Sequence, residues 1–162
     1  MLNIRLATLS DLPAITEIYN EAILTTTATF DTIPKSELEQ KTWFLNHGTT
    51  HPVIVAEIDA QVIGWASLSH WSGRCAYDAT AEISVYIREK SRGMGTGRKL
   101  MEALIPLGRE AGLHTIISRI AGENDISVHL HESLGFKHVG VMKEVGKKFG
   151  RLLDVFLMQR MY

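Results

Sequence analysis

Residues 80–98 constrain the fold of this chain more than any other stretch. They read Thr-Ala-Glu-Ile-Ser-Val-Tyr-Ile followed by Arg-Glu-Lys-Ser-Arg-Gly-Met-Gly-Thr-Gly-Arg. Ile83, Val85, Tyr86 and Ile87 are β-branched or aromatic and favour an extended backbone, so the first half is expected to be a strand. Beyond the glycines, Leu100, Met101, Leu104, Leu107 and Ala111 recur at helical spacing. Gly93, Gly95 and Gly97 carry no Cβ. Main-chain N–H groups from Arg92 through Gly93, Met94, Gly95, Thr96 and Gly97 to Arg98 can therefore close around an anion at the start of the helix, where the macrodipole adds attraction. The turn is expected to hold a phosphorylated ligand.

Spacing separates the candidate phosphate loops. A GxGxxG fingerprint fails, because the third glycine position is Arg98 when counted from Gly93 and Leu100 when counted from Gly95. A P-loop fails because no Gly-Lys-Ser/Thr occurs in the turn. The pattern that fits is Arg/Gln-x-x-Gly-x-Gly/Ala, filled by Arg92, Gly95 and Gly97 directly after a strand. It resembles the acetyl-CoA loop of the GNAT superfamily of N-acetyltransferases, in which amides of the turn hold the CoA pyrophosphate.

Composition narrows the partners. At 162 residues the chain is long enough for one domain with a real core, and the expectation is a single domain over 1–162. Its net charge of −1 leaves no basic surplus for nucleic acid or a membrane surface. The lone cysteine, Cys75, excludes an internal disulfide and points to a cytoplasmic address. No apolar run approaches a membrane span, and the first residues are too interrupted for a signal peptide.

Along the chain, Leu2, Ile4 and Leu6 alternate as a strand, and Ser10 is expected to cap a helix bearing Leu12, Ile15, Ile18, Tyr19, Ala22 and Ile23 on one face. A threonine-rich segment over 25–32 carries Phe30 and suits a substrate loop. Ser36 and Glu39 form a capping box for a second helix. Two apolar runs around Asp59-Ala60 read as a hairpin. Pro106 is expected to cost the central helix a hydrogen bond and bend it. After a strand over 115–120 and a helix over 124–134, two closing strands are expected at 137–142 and 153–161. The order gives an α/β (α+β) chain with a mixed, mostly antiparallel sheet of about seven strands flanked by about four helices. That order matches the GNAT fold over nearly the full length. The resemblance implies that the central strand splays from its neighbour, that Val85, Tyr86 and Ile87 pair with the pantetheine of acetyl-CoA, and that the amide near Val85 faces the thioester oxygen.

Acetyl transfer needs a neutral amine, a stabilised oxyanion and a proton for the departing thiolate. Glu82 lies on the central strand among apolar residues, where burial would raise its pKa and make it a base; pairing with an Arg or Lys is the alternative. His131, in His-Glu-Ser-Leu-Gly-Phe, stands where the superfamily often has the tyrosine credited with protonating the CoA sulfur. Asn124 can open a helix, and the resemblance sets it against the pantetheine, with Ser127 and Ser133 beside it. Metal is not expected, since His129 and His131 diverge on a helix and His131-Glu132 lacks the second histidine of HExxH.

Within the superfamily, residues 80–87, Asn124-Asp125 with Ser127-Val128 and His131-Glu132, the Gly-Lys-Lys-Phe-Gly-Arg run and Asp154 with Met158-Gln159 together look like the phosphinothricin and methionine sulfoximine/sulfone N-acetyltransferases. Leu152 and Phe149 depart from residues often found in that group. The resemblance implies a small α-amino acid substrate, acetyl-CoA as cosubstrate, Glu82 and His131 as catalytic residues, and a homodimer. For the substrate carboxylate, Arg74 in the irregular segment before the central strand is the expected cation, with Phe30, Trp71 and Tyr77 walling the pocket. A polyamine or protein N-terminus as acceptor, or a non-catalytic acyl-CoA-binding module, are the rival readings.

Overall fold

The computed structural model describes residues 1–162. Its elements run β1 (Leu2–Leu6), α1 (Leu12–Thr25), α2 (Glu37–His47), β2 (Val53–Ile58), β3 (Gln61–His70), β4 (Thr80–Ile87), α3 (Thr96–Glu110), β5 (Thr115–Ala121), α4 (Asp125–Ser133), β6 (Lys137–Lys148) and β7 (Arg151–Met161). All seven strands join one sheet in the order β1-β2-β3-β4-β5-β7-β6. Every neighbouring pair is antiparallel except β4 with β5. No helix is long and apolar enough to cross a membrane.

The helices cover both faces. On one, Ile15 and Ile18 of α1 pack with Val55, Val62 and Trp65 of the sheet, joined by Tyr19, Trp43 and Tyr86. On the other, Leu100, Met101, Leu104 and Ile105 of α3 are buried against Ile54, Ala66, Leu68, Ala81, Ile83 and Ile116, with Val128 and Leu130 of α4 alongside. Successive strand side chains point to opposite faces, so odd-numbered Ile83, Val85 and Ile87 meet α3 while even-numbered Tyr86 meets α1. The burial of this α3 stripe carries the helix unbroken across Pro106, which costs it one N–H.

The feature that makes a site is a failure of pairing. β4 and β5 are in register only at Thr80 with Thr115, Ala81 with Ile116 and Glu82 with Ile117. Beyond these, β4 stays with β3 as far as Ile87 opposite Gly64, and β5 stays with β7 as far as Ala121 opposite Val155. Each strand follows its antiparallel partner, and the two central strands part. The splay that the resemblance implied is present in the hydrogen-bond register.

Two local expectations are corrected. Ser10 is not the cap: Thr8 opens a 3-10 turn over Leu9–Asp11, whose Asp11 side chain returns to the Thr8 N–H at 2.8 Å, before α1 begins with Pro13 in its first turn. The closing strands are longer than expected, because register shifts at His138/Gly140 and Met142/Gly146 break the alternation of β6 without ending it. The 146–151 run is thus the tip of a hairpin, turning at Phe149 and Gly150 with φ of 50° and 73°.

Candidate active site

The gap between the splayed strands opens into a cavity of about 620 Å³. Glu82, Ile83, Ser84, Val85 and Tyr86 form one wall; Ser118, Arg119, Ile120 and Ala121 form the other. Residues 27–31, including Phe30, and Met142 and Val145 of β6 close it over the top; Asn124, Ser127 and His131 come from the α4 segment.

The backbone polarity of β4 decides what the gap offers. Arg88 donates its N–H to Ile63 of β3 at 2.8 Å, so by alternation the peptide groups of Tyr86 and Ser84 also face β3. Those of Val85 and Ile87 face the gap, where β5 has already turned away. Tyr86 therefore corrects the sequence reading: its peptide group is spent on β3, and its ring packs against Tyr19 and Trp65 at centroid distances of 5.0 and 4.9 Å. Burial pushes its phenol up to about 12.

Where β4 ends, a 3-10 turn over Glu89–Ser91 leads to the glycine turn. The Arg92 N–H is used within that turn, on the Glu89 carbonyl, and its Nε donates to the Ile87 carbonyl at 3.1 Å. The first backbone bond of the following helix runs from the Lys99 N–H to the Gly95 carbonyl. The N–H groups of Gly93, Met94, Gly95, Thr96, Gly97 and Arg98 consequently donate to nothing within the chain. Gly93 and Gly95 have φ of +77° and +75°, and the space a Cβ would take at either is open. Such a cradle fits a diphosphate. The Arg98 side chain reaches the Ser133 hydroxyl at 2.6 Å, and that hydroxyl donates to the Leu130 carbonyl at 2.7 Å. Ser133 therefore braces α3 on α4 and does not line the cavity.

Glu82 is not isolated among apolar groups. Arg119 of β5 donates to it from Nε at 2.6 Å and Nη2 at 2.7 Å, a bidentate pair at the mouth of the splay. The carboxylate is 19% exposed and the guanidinium 52%, with its charge 5.6 Å from the centre of the Trp71 ring. Glu82 holds the Arg119 guanidinium above its usual range, and Nη1 remains without a protein partner.

His131 is 6% exposed. Its Nδ1 lies 2.7 Å from the Ser127 carbonyl, which can only accept, so the proton is on Nδ1. Nε2 then accepts from the Ser118 hydroxyl at 2.9 Å. Burial lowers its pKa below the ordinary 6.5, against an opposing effect of the Ser127 carbonyl. The Nε2 lone pair is an acceptor placed to take up a proton. Asn124 caps α4 through Oδ1 on the Ser127 N–H at 3.2 Å, yet it also lines the cavity.

Arg74, Trp71 and Tyr77 are not among the residues lining the cavity. Arg74 is exposed and stands before the 3-10 turn Cys75–Tyr77, in the connection from β3 to β4. Sequence reasoning missed Ser118 and Arg119, although two polar residues interrupting Thr-Ile-Ile-Ser-Arg-Ile-Ala were a visible signal. It also missed Tyr19 and Asp31, joined by a 2.5 Å hydrogen bond from the phenol to the carboxylate, and Lys148. That lysine, 4% exposed, donates to the Thr29 carbonyl at 2.7 Å and ties the β6–β7 hairpin to the 25–32 loop. No three His, Cys, Asp or Glu side chains assemble as ligands for a metal ion.

Residues 4–157 match the model of the acetyltransferase (GNAT) domain family. The L-methionine sulfoximine/L-methionine sulfone acetyltransferase of Pseudomonas aeruginosa is 40% identical over 97% of this chain and 92% of its own length. An L-amino acid N-acyltransferase of Escherichia coli is 39% identical over 98% and 92%. The crystal structure of a GNAT superfamily phosphinothricin acetyltransferase from Sinorhizobium meliloti in complex with acetyl-CoA superposes with a TM-score of 0.95, at 38% identity, over 99% of this chain and 88% of that one. Splayed central strands, a cradle of free amides and these three likenesses converge: the chain belongs to the GNAT family of acetyltransferases.

Proposed function

We propose that this acetyltransferase moves an acetyl group from acetyl-CoA to the α-amino group of a small amino acid whose side chain ends in a tetrahedral sulfur or phosphorus, as in methionine sulfone, methionine sulfoximine or phosphinothricin. The observation that carries the reading is the splay of β4 from β5 directly before six free amides. The amides of 93–98 bind the diphosphate, and Val85, through its N–H and C=O, and Ile87, through its N–H, face the pantetheine in place of the missing strand. When bound, acetyl-CoA supplies the thioester carbonyl that the amine attacks.

The chain's own residues do the rest. Val85 donates its N–H to the carbonyl oxygen as charge builds there. Glu82 and Arg119 form a charge pair complementary to an amino-acid zwitterion: the carboxylate attracts the ammonium, and Arg119 Nη1 meets the substrate carboxylate. This gives Arg119 the role expected of Arg74. His131, neutral at Nε2, takes a proton from the ammonium through the Ser118 hydroxyl and returns it by the same path to the departing sulfur. One proton leaves nitrogen and one reaches sulfur. Asn124 Nδ2 and Ser127 border the pantetheine, and Phe30 walls the substrate side.

The cytoplasm, where acetyl-CoA and free amino acids occur, is the proposed location, and the single sheet is read as one domain. A homodimer is proposed through β6, an edge strand that leaves Val139, Val141 and Val145 exposed at 53%, 42% and 54%.

Thiol release from acetyl-CoA, measured over a panel of methionine sulfone, methionine sulfoximine, phosphinothricin and polyamines, tests the reading. Release that depends on the amino acids and falls about tenfold or more in Glu82→Gln is expected. Binding of acetyl-CoA without amine-dependent release would make the chain a non-catalytic module, and release with polyamines alone would reassign the acceptor.

A further inference from the structure

A second cavity of about 300 Å³ lies on the α1 and α2 face of the sheet and shares Tyr19, Asp31, Ser84 and Tyr86 with the first. It is an annex to the transfer site. One oxygen of each of its carboxylates is already engaged: Glu39 Oε2 accepts from the Ser36 N–H and hydroxyl, each at 2.8 Å, and Asp31 Oδ2 accepts from Tyr19 and sits 3.4 Å from the Lys35 ammonium. What is uncommitted is a set of donors. Gln40 is 4% exposed and lines the annex with an amide that no protein group satisfies. Trp65, 3% exposed, has an indole N–H with no partner. The Gln40 amide makes no hydrogen bond within the protein and borders the annex, so a ligand there can take it up, and the partnerless indole N–H beside it is the costly buried group.

The chemistry of that ligand follows. Uncommitted donors together with the Lys35 ammonium favour an acceptor-rich group, since Glu39 Oε2 and Asp31 Oδ2 already hold donors of their own. The rings of Trp43 and Trp65, 5.3 Å apart edge to face, suit a small apolar substituent such as a methyl group. We propose that the annex receives the oxidised end of the substrate side chain, with the Gln40 amide donating to a sulfone, sulfoximine or phosphinate oxygen. Gln40 is then a specificity-determining residue. The proposal rests on the α-amino-acid reading above and adds where the tetrahedral centre is recognised and by which group.

Steady-state kinetics with methionine sulfone and with norleucine, which has a similar reach and no side-chain oxygen, separate the two. Gln40→Leu should raise the KM for methionine sulfone about tenfold and leave those for norleucine and acetyl-CoA within about twofold. Gln40→Glu keeps the size, removes the N–H donors and should show the same selective loss, so a folding defect in one variant does not decide the matter. Equal losses on both amino acids, or none on the sulfone, would overturn the annex while the transfer reading stands. A wild-type enzyme that acetylates neither amino acid would overturn the transfer reading, and the annex with it.

Discussion

His131 shows how one hydrogen bond sets a chemical role. Because the Ser127 carbonyl fixes the proton on Nδ1, the lone pair at Nε2 faces Ser118, and burial lowers the pKa of the ring below the ordinary 6.5. A base with a depressed pKa stays competent as pH falls through 6.5 and is lost only lower. The acidic limb of kcat/KM is therefore expected to have its midpoint below 6.5 and to disappear in His131→Phe, with kcat down about 100-fold and acetyl-CoA affinity unchanged. An unchanged profile in His131→Phe would remove the ring from proton transfer. The sequence made His131 and Glu82 visible as polar residues at telling positions. It could not show Arg119 bound to Glu82, a contact across 37 residues fixed only when β4 and β5 come together.

At the level of elements, the site is roofed by a contact between two segments far apart in sequence. The β6–β7 hairpin lies on the 25–32 loop through Lys148 and Thr29, and through Gly146 directly over the Phe30 ring, where a Cβ would overlap the ring. Gly146→Ala must push Phe30 aside. It is expected to destabilise the protein by about 1–3 kcal/mol and to raise the KM for the amino acid several-fold, with that for acetyl-CoA unaffected. A wild-type melting temperature and KM would show that the roof tolerates the shift. Local chemistry made much of this level legible. The Ser36–Glu39 capping box, the turn at Asp59-Ala60 and the glycine cradle each rest on a few adjacent residues. The hairpin tip was obscured because two bulges break the alternation that marks a strand.

For the whole molecule, a histidine group beneath α2 ties stability to pH. His47 donates from Nδ1 to the Trp43 carbonyl at 2.7 Å and accepts the Ser69 hydroxyl at Nε2, while the His51 ring lies 3.7 Å from that of His70. Burial is the main cause that lowers both His47 and His51, and the neighbouring His70 adds to it. Folded-state values below 6.5 mean that stability is full above 6.5 and lost as pH falls from there. The melting temperature is expected to be flat from pH 8 to about 6.5 and to drop below it, with a shallower drop in His51→Gln. An equal slope in that variant would exclude His51. The order of elements was readable from the sequence because each rests on its own periodicity. The parting of β4 and β5 was readable only by resemblance, since it arises from which neighbour each strand keeps. That parting is also what the account most depends on. An amide-resolved NMR titration with acetyl-CoA measures it directly: the N–H signals of 93–98 and of Val85 and Ile87 should shift together and saturate at one stoichiometric equivalent, with that of Tyr86, held by β3, moving least. Saturation with those amides unmoved would contradict it.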